Sequence, residues 1–157
     1  MAQDRLFNES EIPDASDLHV AVIWARFNRD ITERLLDGAL SALKTSGAAA
    51  VKVYQVPGCF ELPLVARKLA ETGDFDAVVA LGAVIRGETP HFDYVAGEAA
   101  AGLARASYDT GIPVAFGVLT TNNRDQAQDR AGGRSGNKGA DAALTAVETA
   151  LTIKSLR

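Results

Sequence analysis

Apolar residues fall into short unbroken runs, separated by stretches in which they recur at helical spacing. The run LHVAVIWA at 18–25 reads as a strand buried on both faces. After it, Ile31, Leu35, Ala39, Leu40 and Leu43 mark one helix face, with Asn28 or Asp30 able to cap and Gly47 just past the end. AAVKVYQV at 49–56 is a second strand. Leu62, Val65, Ala66 and Leu69 then keep the i, i+3, i+4, i+7 rule, and Pro63 is tolerable in a first helical turn. The most apolar run, AVVALGAVI at 77–85, predicts a central strand. A long helix fits 91–110 and stops at Gly111, before a strand at 113–120. Last come a short helix in NNRDQAQDRAG, a glycine-rich link GGRSG, and a long helix in NKGADAALTAVETALTIKSL.

Strand and helix alternating in this way imply βαβ units with right-handed crossovers. The expected architecture is α/β, a three-layer α/β/α sandwich around four parallel strands. Residues 1–17 lack apolar periodicity and carry Pro13 and several carboxylates, so they read as an N-terminal arm before a domain at 18–157. There is no sign of an internal repeat or of a second domain within the 157 residues.

Composition narrows the function classes. Hydrophobic residues make up 47% and charged residues 23%, which fits a globule and excludes a disordered chain. A formal charge of −4 argues against a protein that coats nucleic acid. Cys59 is the sole cysteine, so no internal disulfide can form and a reducing, cytoplasmic setting is expected. The polar, acidic start MAQDRLFNESEIPDASD is the opposite of a secretory or transit peptide. No apolar stretch reaches the ~18–20 residues that cross a bilayer, so no membrane partner is expected. His19 and His91, with one cysteine, cannot build a common zinc cage, and no metal is expected.

Open α/β sheets bind ligands at the carboxyl ends of their strands. The unusual residues of this chain gather there: Trp24, Arg26, Phe27 and Asn28, then VPGCFEL, then IRGETPHFDY, then LTTNNRD. In IRGETPH a strand stops at Ile85, Gly87 frees the backbone, and Glu88-Thr89-Pro90 opens a helix. Its exposed amides and a hydroxyl suit an anion, with His91 close by; a plain helix cap with a surface histidine would read the same way. Glu61 is either a capping carboxylate, favourable by about 0.3–1 kcal/mol, or an acceptor for a polyol or amine. Cys59 reads as a packing residue rather than a nucleophile. Trp24 is core or a stacking platform. Arg130 and Lys138 flank a glycine-rich turn, as a solvated basic loop or as phosphate ligands.

Taken together, ARFN at 25–28, VPGCFELP at 56–63, LGAVIRGETPHFDYVA at 81–96, FGVLTT at 116–121, and QAQDRAG with GNKG at 126–139 resemble the lumazine synthase family. The likeness runs from about Val20 to Arg157. It implies a flavodoxin-like fold whose N-terminal arm can add a strand to a neighbour. It also implies a transferase of riboflavin biosynthesis. That family joins 5-amino-6-(D-ribitylamino)uracil to 3,4-dihydroxy-2-butanone 4-phosphate, giving 6,7-dimethyl-8-ribityllumazine, phosphate and water, without cofactor or metal.

Residue by residue, the resemblance implies that Trp24 stacks on the pyrimidinedione. It implies that Cys59, Phe60 and Glu61 line the ribityl pocket, with Glu61 binding hydroxyls, and that backbone groups of Val84 and Ile85 hold the heterocycle. Gly87, Glu88 and Thr89 would cradle the phosphate, the Glu88 side chain pointing away. His91 would move protons, imidazole being suited to acid and base work near neutrality. Phe116, Arg130 and Lys138 would come from a neighbouring subunit, with Arg130 on the phosphate and Asp141 partnering Lys138. The implied assembly is a homopentamer, in the family sometimes doubled to a decamer or built into a sixty-subunit cage. Pro13 in the arm and the short final link favour the free pentamer. Two further readings of the same fold are a flavin- or lumazine-binding protein without turnover, and a shell-forming protein.

Overall fold

The computed structural model describes residues 6–157. Four parallel strands, β1 (His19–Ala25), β2 (Ala50–Val56), β3 (Ala77–Ile85) and β4 (Val114–Thr121), form one sheet in the order β2-β1-β3-β4. Helices α1 (Arg29–Thr45), α2 (Leu62–Glu71) and α3 (His91–Thr110) make the crossovers. After β4 come α4 (Arg124–Asp129), two short strands β5 (Ala131–Gly133) and β6 (Gly136–Asn137), and α5 (Lys138–Ser155). The expected three-layer sandwich is therefore present.

Why each helix lies where it does follows from the alternation along β1. Val20, Val22 and Trp24 face one side and join Ile31, Leu35, Leu43, Ala143 and Val147 of α1 and α5. Ala21, Ile23 and Ala25 face the other and join Leu62, Ala66, Leu69, Ala99 and Leu103 of α2 and α3. Both clusters are almost wholly removed from water, so β1 and β3 read as continuous apolar runs. The α1/α5 layer closes tightly at Gly139, where a Cβ would run into the backbone of Leu35.

Two expectations differ in detail. GGRSG is not a plain link: β5 and β6 pair antiparallel across it, with Gly132 and Gly136 at φ +95° and +76°. Pairs of two or three residues leave no apolar alternation to detect. The expected arm also divides. Residues 1–5 lie outside the described residues, whereas the Ala15 amide donates to the Ser46 carbonyl at 2.8 Å and Ala15 is buried. The Ser46 hydroxyl donates to the Pro13 carbonyl, so the stretch from Pro13 onward is fastened to the end of α1.

Candidate active site

The carboxyl ends of β1, β2 and β3 open into a cavity of about 680 Å³ between their loops and the first turns of α3. Each wall has a local cause. At the β1–α1 corner the amides of Arg26 and Phe27 donate to the carbonyls of Val56 and Pro57, at 2.9 and 3.1 Å. Asn28 follows in the left-handed region (φ 62°, ψ 46°), which asparagine tolerates better than most residues. Its side chain does not cap α1 but donates from Nδ2 to the Ala83 carbonyl at 3.0 Å. This fixes the corner against β3 and leaves the Phe27 ring 71% exposed on the cavity wall.

The β2–α2 corner supplies Pro57, Gly58, Cys59, Phe60 and Glu61. Cys59 is buried, and Gly82 on β3 makes room for it, since a Cβ there would meet the Cys59 Sγ. Burial, with the Glu61 charge adding to it, pushes the thiol up to about 12. A thiol held protonated is no nucleophile at neutral pH. Glu61 occupies the position before α2, yet its side chain makes no capping bond to the helix. The residue is instead part of the cavity wall.

From the β3–α3 corner come Val84, Ile85, Gly87, Thr89 and His91, followed by Phe92, Tyr94 and Val95 at the start of α3. Pro90 precedes α3 and no side chain caps the helix. The amides of His91 and Phe92 open this 20-residue helix beside Thr89 on the rim, whereas that of Asp93 already donates to the Pro90 carbonyl at 3.0 Å. Unpaired amides and the positive end of a helix dipole together suit an anion. The remaining wall is mostly apolar, with Asn28, Glu61, Thr89 and His91 as its polar points, the usual make-up of a small-molecule site.

Other residues expected at the site lie elsewhere in the chain. Trp24 is only 8% exposed and packs in the α1/α5 cluster, with the Arg29 guanidinium 5.7 Å from its ring centroid. Its position on β1 sends it to the face opposite the cavity wall formed by Cys59 and Val84. Glu88 is exposed and the cavity lining passes over it, taking Gly87 and Thr89 on either side. Phe116, 46% exposed, and Lys138 line a second groove of about 370 Å³ along the β4 edge, together with Asp141. There Lys138 Nζ stands 3.3 Å from Asp141 Oδ2. Arg130 borders neither cavity; its Nη1 donates to the Gln126 carbonyl at 3.1 Å.

Sequence reasoning noticed Phe27 and Asn28 at the rim but gave them no role in the site. It likewise placed Phe92 and Tyr94 at the rim, within IRGETPHFDY, without giving them a role, and gave none to Val95. The spacing of His91, Tyr94 and Val95 along α3 was the available signal for a shared helix face. Among the described residues no group of three or more His, Cys, Asp or Glu is placed to hold a metal ion, and no helix is long and apolar enough to cross a membrane.

Comparison with known proteins converges on one family. Its profile, described as 6,7-dimethyl-8-ribityllumazine synthase, matches residues 17–154. A protein of that name from Syntrophus aciditrophicus is 58% identical over 136 residues, covering 85% of this chain and 88% of its own. One from Thermus thermophilus is 57% identical over 141 residues, covering 88% and 90%. One from Chlorobium phaeovibrioides is 54% identical over 136 residues, covering 85% and 88%.

Proposed function

The chain belongs to the 6,7-dimethyl-8-ribityllumazine synthase family, and we propose that its rim cavity carries out that synthesis. The enzyme is a transferase of riboflavin biosynthesis. It condenses 5-amino-6-(D-ribitylamino)uracil with 3,4-dihydroxy-2-butanone 4-phosphate and releases phosphate and water. The observation that carries this reading is the meeting, in one cavity, of an uncapped helix start with Thr89, a histidine beside it, and a carboxylate and exposed aromatic ring on the facing corners.

The substrate amine is itself the nucleophile, so the protein mainly orients two reactants and moves protons. Positioning alone can lower a bimolecular barrier by up to about 7–11 kcal/mol. Amides from Gly87 onward and the Thr89 hydroxyl donate to the phosphate. The Glu88 side chain turns to solvent, which avoids setting a carboxylate beside a dianion. His91, at the first position of α3, takes and returns protons as the amine adds to the ketone, water leaves and phosphate departs. Glu61 accepts hydrogen bonds from ribityl hydroxyls, beside Cys59 and Phe60. Backbone groups of Val84 and Ile85 hold the heterocycle. The stacking role expected of Trp24 passes to Phe27, whose ring stands on the cavity wall.

Phe116, Lys138 and Arg130 do not border this cavity within their own chain. A neighbouring copy supplies them, so each site spans two protomers of a cytoplasmic homopentamer. Arg130 pairs with the phosphate and Lys138 adds positive charge. Mixing the two substrates with purified protein tests the whole reading. Lumazine fluorescence should rise together with inorganic phosphate, and an inert mixture would refute the assignment.

A further inference from the structure

The arginine of the IRGETPH segment invites the role of phosphate ligand, yet its side chain is committed elsewhere. Arg86 is absent from the cavity lining, although Ile85 and Gly87 on either side belong to it. Its amide donates to the Thr121 carbonyl at 2.8 Å, extending the β3–β4 ladder beyond Ile85. The guanidinium then bridges three elements. Nε donates to Asn122 Oδ1 at 3.2 Å, in the turn after β4. Nη1 donates to Asp93 Oδ1 at 3.4 Å, in the first turn of α3. Its Cζ lies 4.3 Å from the centroid of Phe92, a cavity-wall residue.

We propose that Arg86 is a positioning residue for the reaction, holding the 86–90 turn and the first turn of α3 so that Thr89 and His91 face the cavity together. The start of α3 has no side-chain cap of its own. What ties it to the sheet rim from the side is this guanidinium, through Asp93 and through the ring of Phe92. Asn122 anchors the far end, and its own amide donates to Gln126 Oε1 at 2.8 Å, so the anchor is part of the ordered start of α4.

The contacts are poor candidates for a purely stabilising role. Arg86 and Asp93 are 46% and 61% exposed, and exposed ion pairs contribute little to global stability. A planar fork over an aromatic face does fix direction, which a lysine cannot copy. Misdirection of the phosphate donors and of the proton shuttle would then appear in catalysis rather than in folding.

The inference rests on the reading of Gly87 and Thr89 as phosphate donors, and the experiment separates the two. Steady-state kinetics on Arg86→Met and Arg86→Lys should vary each substrate in turn, with inorganic phosphate as an inhibitor probe and Thr89→Ala as the control. Arg86→Met is expected to raise KM for the butanone phosphate and weaken phosphate inhibition by about tenfold, the worth of one charge-assisted hydrogen bond. Its kcat should fall as well. Binding of the ribitylaminouracil should stay within about twofold, and the melting temperature within about 4 °C of the parent. Arg86→Lys should recover part of the loss. Unchanged phosphate dependence and kcat in a folded Arg86→Met protein would overturn the proposal, and so would equal weakening for both substrates accompanied by a large loss of melting temperature. Should Arg86→Met fail to fold, Asp93→Asn supplies the test: a selective rise in KM for the phosphate substrate supports the proposal, and no rise overturns it. If Thr89→Ala leaves phosphate dependence unaltered, it is the phosphate-site reading that fails.

Discussion

Truncating Phe27 and Trp24 separately distinguishes a ring that serves the ligand from a ring that serves the core. Phe27 is 71% exposed, so Phe27→Ala removes little buried surface, and its stability cost should be within about 0.5 kcal/mol. On the proposed function, what it removes is a platform for a planar heterocycle. Stacking of a nucleic-acid base on an aromatic side chain is worth about 1–3 kcal/mol by alanine substitution, which corresponds to roughly 5–150-fold in Kd. Trp24 is 8% exposed within the cluster that also holds Ile31, Leu35 and Val147. Its truncation leaves a void costing about 3–5 kcal/mol, or roughly 6–20 °C in melting temperature for a chain of this length. The assay pairs thermal melts with equilibrium titration of the ribitylaminouracil, well below the melting point of the weaker variant. Unaltered affinity in Phe27→Ala would refute the argument. A Trp24→Ala protein that melts like the parent yet loses the ligand would refute it too.

His91→Ala should lower kcat by about 100-fold or more, the scale of general acid–base catalysis, while direct binding measurements find the ribitylaminouracil held as before. Arg130→Ala should raise KM chiefly for the phosphate substrate, which initial rates at varied concentration of each substrate would show. Cys59 should resist alkylation at pH 8, because its thiol is pushed up to about 12, and Cys59→Ala should keep turning over. The same shift has a sign for stability: the unfolded thiol ionises from its ordinary 9.0 while the folded one does not. The contribution is therefore complete below pH 9 and is lost as pH rises towards 12, read as a parent-minus-Cys59→Ala difference in urea melts. Gly139→Ala should destabilise by at least about 1–3 kcal/mol in the same melts, since the added Cβ would meet the Leu35 backbone rather than a yielding side chain.

The elements were legible where the chain's chemistry is locally one-sided. AVVALGAVI is apolar throughout and gave β3 at Ala77–Ile85, and the periodic stretch ending at Gly111 gave α3 at His91–Thr110. Which face of a doubly buried strand a residue occupies is another matter. LHVAVIWA has no polar alternation to orient it, so the direction of Trp24 depends on which helices cover each side, a property of the assembled sheet. Asn28 looked able to cap α1, and it does stand at the N-cap position, its carbonyl accepting from the Ile31 and Thr32 amides. Its side chain does not complete the cap: the backbone is left-handed and the side-chain amide goes to Ala83, a partner 55 residues away that local spacing cannot reveal. The IRGETPH loop was legible as a candidate anion cradle on the rim because its signals (glycine, hydroxyl, proline, helix start) are contiguous. The direction of the Arg86 guanidinium was not, since Asn122 reaches it only after β4 has been laid beside β3.

The most direct test of the shared rim site is a structure of the assembled protein with a non-reactive ribityllumazine analogue and inorganic phosphate. The account predicts the heterocycle against Phe27 and beside Val84 and Ile85, with the ribityl chain at Glu61. Phosphate should lie within hydrogen-bond reach of Gly87, Thr89 and a neighbouring subunit's Arg130. A heterocycle lodged away from Phe27, or phosphate bound with no contact to the start of α3, would contradict it.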